Sequence, residues 1–177
     1  HWFGCACCPG NVTLFMASVS NYVYATQGND IYVNLYVQGK SEMKTADNQV
    51  QLIQTTGYPW DGKVSIAVKS EKESEFAVRL RIPGWLQSTP VASDLYAYTT
   101  PAEKYTLKVN GSTVKPAEGD GYATIVRTWK PDDVIELELP MEVRRVKAND
   151  QVEDDRGMLA MERGPIAVSY THLALPT

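Results

Sequence analysis

A chain of 177 residues, 44% of them hydrophobic, is long enough to bury a core and to form one domain or one and a half. Its net charge of −4 and pI near 5.2 exclude a general nucleic-acid surface, because the basic residues are scattered apart from Arg144, Arg145 and Lys147 on one short run. No apolar stretch approaches the ~20 residues of a bilayer-spanning helix, so no membrane partner is expected and the composition reads as that of a soluble globular piece.

The chain opens at His1 without an initiator methionine or a leader pattern, and reads as the C-terminal piece of a longer protein. All three cysteines fall in its first eight residues, as Cys5-Ala6-Cys7-Cys8-Pro9. Cys7 and Cys8 are neighbours, which can close a disulfide only through a strained ring, whereas two consecutive thiolates can both bind one soft cation such as Zn²⁺. A tetrahedral site needs four ligands, so the missing ones are expected upstream. Cysteines with no downstream partner favour a reducing compartment or metal protection, but three residues do not decide between cytoplasm and periplasm.

Pro9-Gly10 reads as a turn and Asn11 as an N-cap, after which Val12, Phe15, Met16, Val19, Tyr22 and Val23 recur at helical spacing up to Gly28, the expected C′ stop. The cysteines then sit at a helix N-terminus, where the macrodipole and unpaired N–H groups favour negative charge and hence thiolate. The alternative is that they are small buried residues.

Beyond Gly28 the period becomes two. Ile31, Val33, Leu35 and Val37 are expected on one face of a strand from Asp30 to Gln38, with further strands at 50–53 and 64–68. Phe76, Val78, Leu80 and Ile82 alternate with Ala77, Arg79 and Arg81, the pattern of a half-buried antiparallel strand ended by Pro83-Gly84. Residues 83–104 read as a long loop or an insertion at a sheet edge. Tyr105 to Val109 leads into Asn110-Gly111, a hairpin signal, with the return beginning at Val114. Strands at 122–127 and 134–139 complete a mostly β chain, an antiparallel β-sandwich of jelly-roll-like kind preceded by one N-terminal helix.

From about Val168 the text resembles translated adapter sequence, so 168–177 is expected to be a non-native tail, the alternative being a genuine edge strand, and His172 is set aside. Other candidate groups have plainer readings. Glu136 and Glu138 share a strand face and read as a solvated surface before an acid/base pair. Asp132-Asp133 and Glu153-Asp154-Asp155 could gather Ca²⁺ but read first as turns. Trp60, Trp85 and Trp129 could form a sugar-stacking platform, yet aromatics in a sandwich usually fill its core. His1 is a conceivable further metal ligand.

The run Trp2-Phe3-Gly4-Cys5-Ala6-Cys7-Cys8-Pro9-Gly10-Asn11 resembles the cysteine motif of glycoside hydrolase family 127, the β-L-arabinofuranosidases. Phe76 to Trp85 (FAVRLRIPGW), Val109-Asn110-Gly111, Gly121-Tyr122 with Arg127-Thr128-Trp129, and Met161-Glu162-Arg163-Gly164-Pro165 resemble that family's β domains in the right order, over roughly residues 1–167. The resemblance implies an (α/α)₆ barrel followed by β-sandwich domains. Residues 1–28 would be the end of the barrel with its last helix, 29–140 the middle β-sandwich, and 141–167 the start of a C-terminal β region.

It further implies Cys7 as the nucleophile and Cys8 as its neighbouring zinc ligand, both on Zn²⁺ with an upstream glutamate and cysteine, while Cys5 matches a motif cysteine outside that set. In family terms the Cys7 thiolate attacks the anomeric carbon of an arabinofuranoside-containing carbohydrate to give a thioglycosyl intermediate. A glutamic acid serves as acid and then base, with retention, in place of the usual carboxylate nucleophile. Gly10 stands where the family often has proline, a change that bears on the turn alone. The implied parent is a zinc-dependent retaining glycoside hydrolase, and the piece alone is expected to be inactive. Rival readings are a noncatalytic carbohydrate-binding or scaffolding sandwich, and a self-contained zinc or redox module.

Overall fold

The computed structural model describes residues 7–87 and 89–172. One α-helix, α1 (Cys7–Ser18), continues into a 3₁₀ turn at Val19–Tyr22 and is followed by strands. Among the described residues the helix already runs at Cys7, four residues before the expected Asn11 cap, and it stops well short of Gly28. Residues Tyr24–Gln27 form β1 instead, and Gly28, at φ +60°, starts the Gly28-Asn29 turn into β2 (Asp30–Val33). Tertiary pairing overrode the apolar spacing, because Tyr24 to Gln27 gain a full antiparallel ladder against Val33 to Asp30.

β2 also ends sooner than its alternation suggests. Asn34 and Leu35 both donate their N–H groups to the Val23 carbonyl, which bends the chain and turns Tyr36 inward in place of Leu35 and Val37. Tyr36 is 5% exposed, and its hydroxyl donates to the Arg81 carbonyl at 2.6 Å.

The remaining strands build two facing sheets. β3 (Gly39–Lys44), β4 (Gln49–Thr56) and β5 (Lys63–Ser70) form a meander, while β6 (Ser74–Arg81) crosses to the sheet of β1 and β2. β7 (Tyr96–Tyr98) belongs to a third sheet, described below. Then come β8 (Thr106–Val109), β9 (Ser112–Thr113), β10 (Ala117–Gly119), β11 (Tyr122–Trp129) and β12 (Asp133–Glu138). The first sheet runs β1-β2-β6-β11-β10 and the second β3-β4-β5-β12-β8-β9. β6 is antiparallel to β11, as its pattern suggests, but parallel to β2, a pairing that alternation alone cannot reveal. Asn110-Gly111 closes the β8–β9 hairpin with both residues at positive φ, as that dipeptide predicts.

Between the sheets lies one core. Ile31, Val78, Leu80 and Ala123 from the first sheet face Leu52, Ile66, Val68 and Ile135 from the second, all of them fully buried. Each such aliphatic side chain contributes about 1.5–3 kcal/mol, against about 0–1 for each exposed ion pair, so this layer sets the stability. Trp129 closes one end of it at 0% exposure, its indole N–H donating to the Phe76 carbonyl at 3.0 Å.

The third sheet runs β15-β14-β13-β7, from β13 (Val143–Ala148), β14 (Met158–Arg163) and β15 (Ile166–His172). The 83–104 segment thus supplies an edge strand away from the sandwich, where Val146, Lys147 and Ala148 pair with Tyr98, Ala97 and Tyr96. Pairing of β15 reaches His172, and residues 173–177 lie outside the described residues. No described helix is long and apolar enough to cross a membrane.

One close approach gives a test. A Cβ on Gly62 would come within 1.8 Å of the Leu139 carbonyl oxygen, and that oxygen cannot move because Leu139 N–H is itself bonded to Gly62 O at 2.9 Å. Gly62→Ala is expected to cost about 3 kcal/mol or more in urea unfolding, whereas Gly84→Ala, with nothing within 4 Å, stays within about 0.5 kcal/mol.

Asp133, 5% exposed, accepts from Lys130 N–H and the Asn110 amide and lies 3.6 Å from Arg127. Burial pushes its carboxyl up, yet these bonds and the Arg127 charge outweigh burial and hold it below the usual carboxylate value. An unfolded chain therefore binds this proton first on acidification, so the contribution is complete above about pH 4 and fades as pH falls through the lower folded-state value. Stability profiles from pH 7 to 2 should lose that component in Asp133→Asn.

Candidate functional site

Cys7 and Cys8 are the first two residues of α1, both exposed, with their sulfurs 3.7 Å apart. Pro9 follows in the first turn, where a missing N–H costs nothing, and its carbonyl accepts from the Thr13 hydroxyl at 2.8 Å. Two sulfurs each about 2.3 Å from one tetrahedral zinc stand about 3.8 Å apart, so the side chains present fit a shared Zn²⁺ without rearrangement. Among the described residues no three His, Cys, Asp or Glu side chains gather as a metal site, and the pair accounts for half of a four-ligand shell. His1 and Cys5 lie outside the described residues.

The helix carrying these sulfurs is apolar around its circumference. Val12, Leu14, Phe15 and Met16 are 59–70% exposed, and no residue of α1 is buried. A helix hydrophobic on all sides has the composition of one enclosed by other elements. Its link to the sheets runs through Val23, whose carbonyl accepts from Asn34 and Leu35, and through Tyr24, whose hydroxyl accepts from the buried Gln54 amide at 2.7 Å.

The other sequence candidates are dispersed. Glu136 and Glu138 lie exposed on the outer face of β12, a solvated surface. Asp132 and Asp133 form a turn with Asp132 at φ +67°, and Glu153–Asp155 a 3₁₀ turn whose Asp155 accepts from the Tyr96 hydroxyl. The tryptophans make no platform: Trp129 is core, Trp85 packs against the core, and Trp60, 74% exposed, stands elsewhere with its carbonyl on Arg163.

Sequence reasoning missed Arg144. Arg144 and Arg145 read as part of one short basic run, but on a strand neighbours point to opposite faces, and Arg144 points inward at 7% exposure. Its guanidinium donates to the carbonyls of Trp85 at 2.5 Å and Thr100 at 2.7 Å and lies 3.4 Å from the Tyr98 ring centroid. The Tyr98 hydroxyl in turn donates to Glu162 at 2.7 Å, and burial, then that bond and charge, raise its pKa. The 76–85 and 161–165 motifs thus meet, Gly164 packing so that a Cβ there would strike Met141 and approach Trp85.

Comparison with known proteins follows the same outline. Residues 30–141 match the family described as β-L-arabinofuranosidase, GH127 middle domain. Over 173 residues the chain is 35% identical to the non-reducing end β-L-arabinofuranosidase of Bifidobacterium longum subsp. longum, covering 93% of this chain and 23% of that protein. The structure of a GH127 β-arabinofuranosidase superposes with a TM-score of 0.88 at 45% identity, over 94% of this chain and 26% of that one. That of a GH127 β-L-arabinofuranosidase from Geobacillus stearothermophilus T6 gives 0.80 at 36%, over 94% and 24%. The chain spans about a quarter of the length of these relatives.

Proposed function

The chain belongs to the GH127 β-L-arabinofuranosidase family, and from that premise we propose that it is part of a zinc-dependent retaining glycoside hydrolase in which Cys7 is the nucleophile. The observation that carries the reading is the exposed sulfur pair, 3.7 Å apart at the start of α1. The substrate is a carbohydrate, and the names of the relatives favour a β-L-arabinofuranoside.

In this reading the Cys7 sulfur forms a bond to the anomeric carbon while the glycosidic C–O bond breaks, its electron pair leaving on the departing oxygen. A carboxylic acid supplied from outside this chain protonates that oxygen and then takes a proton from the water that releases the sugar, so two displacements at one carbon retain configuration. Cys7 and Cys8 would hold a zinc ion, which would keep sulfur deprotonated at neutral pH and fix its direction. Helix α1 orients both sulfurs, and the sandwich holds α1 through Val23 and Tyr24.

Three experiments test the assignment. In the full-length parent, Cys7→Ser is expected to lower kcat/KM by about a thousandfold or more while leaving the sandwich folded by circular dichroism, and activity within a few-fold of wild type would remove Cys7 from this role. Chelation should abolish activity and added Zn²⁺ restore it. Residues 1–177 alone should give no turnover of an aryl β-L-arabinofuranoside, since the acid and half of the metal shell lie elsewhere.

A further inference from the structure

We propose that the open end of the sandwich, between the edge strands β9 and β10, is a binding site for a neutral oligosaccharide, separate from the cysteines. A cleft of about 830 Å³ opens there, within the size range of small-ligand sites. Ile82, Leu107 and Val114 supply an apolar floor, Tyr105 and Tyr122 line it as half-buried rings, and Glu118 stands at its polar rim.

The rings are held in place. The Tyr105 hydroxyl donates to the Glu118 carboxylate at 2.6 Å, tying the β8 side of the cleft to β10. Tyr122 donates to Asn34 at 2.6 Å and stands edge-on to Tyr32, with centroids 5.4 Å apart. Burial, then the Glu118 bond and charge, push the Tyr105 hydroxyl above its ordinary value, so it stays protonated through the physiological range.

Charge decides the ligand class. The cleft carries two acids, Glu103 and Glu118, and two bases, Lys104 and Lys115, so an ion of either sign gains no net attraction. A sugar matches what remains: its C–H faces suit tyrosine rings and an aliphatic floor, and its hydroxyls suit a mixed rim of donors and acceptors. The choice of arabinose as the probe rests on the proposed function; the cleft and its charge balance do not.

Titration of the ¹⁵N-labelled chain, residues 1–177, with a linear L-arabinofuranose trisaccharide tests the site. The expected result is saturable shifts at the amides of Leu107, Val114, Gly119 and Tyr122. Glu118→Ala, an exposed position, should weaken binding about tenfold by removing a charged acceptor and releasing Tyr105, while Glu136→Ala on the outer sheet face leaves it unchanged. Absence of saturable shifts overturns the proposal, as does indifference to Glu118→Ala or tighter binding of an anionic galacturonate trisaccharide. Hydrolysis does not enter this measurement, and Cys7→Ser should bind as wild type; loss of binding in that variant would move the sugar to α1 and overturn the cleft.

Discussion

The interleaving of Ile31, Val78 and Leu80 with Leu52, Ile66 and Ile135 across two twisted sheets is the contact on which the rest of the molecule depends. Every other device is placed relative to it. The β5-to-β6 and β11-to-β12 connections carry the chain from one sheet to the other, so each sheet presents an inner face only if both form. Parallel pairing of β2 with β6 follows from the same requirement. β6 arrives in the first sheet after the whole β3-β4-β5 meander, and it lies beside β2 with Ile31 opposite Val78 and Val33 opposite Leu80, all four directed inward.

Polar groups act at the margins of this core, where they fix geometry more than they add stability. Arg79 contacts Asp30 at 2.9 Å, yet both are about one-third exposed, and such a pair contributes little beyond about 1 kcal/mol. Arg144 is a different case. A guanidinium at 7% exposure with two carbonyl acceptors and a tyrosine face has lost its hydration, and removing any of these acceptors leaves the charge poorly compensated. Its partners come from the 83–104 segment and the third sheet, so it ties the direction of that sheet to the end of β6. The cost of burying it is offset by what it specifies, namely one arrangement of two sheets that share little apolar contact.

Much of the sandwich is legible in the sequence because its strands are half-buried and therefore alternate. Val64, Ile66 and Val68 on β5, and Phe76, Val78 and Leu80 on β6, announce both their period and their inner face. What escapes is what lacks a period of its own. β1 is four residues long and follows an apolar helix, so its Tyr24 is absorbed into the helical spacing. β7 is three residues in a Ser-, Thr- and Pro-rich stretch, and it exists through pairing with β13, forty-eight residues on at the Tyr98–Val146 pair. β10 lies beyond the return expected from Val114, and its own hairpin to β11, closed by Asp120-Gly121 with both residues at positive φ, is not singled out although it resembles the Asn110-Gly111 turn. The sulfur pair was visible as a motif, but its place on an exposed, all-round apolar helix depends on three-dimensional packing that no local pattern encodes.

That exposure separates two kinds of element within one chain. The sandwich satisfies its own apolar surface, whereas α1 does not: Leu14 at 70% and Met16 at 66% exposure are side chains suited to enclosure. An exposed sulfur pair on such a helix has a defined direction only if the helix itself is held. Here direction passes from the core to the sulfurs along a short path. Gln54 takes the inner-face position of β4 after Val50 and Leu52, at 1% exposure, and donates to the Tyr24 hydroxyl and the Leu35 carbonyl. Val23 next to Tyr24 holds Asn34 and Leu35, and the 3₁₀ turn leads straight back into α1. A buried amide is costly unless bonded; the Gln54 NH₂ group makes both of these bonds while its Oε1 has no partner among the described residues, and the amide pins the strand that follows the helix to the sheet. The sandwich reaches α1 through this pin, and the two sulfurs ride on a helix mounted at that one end.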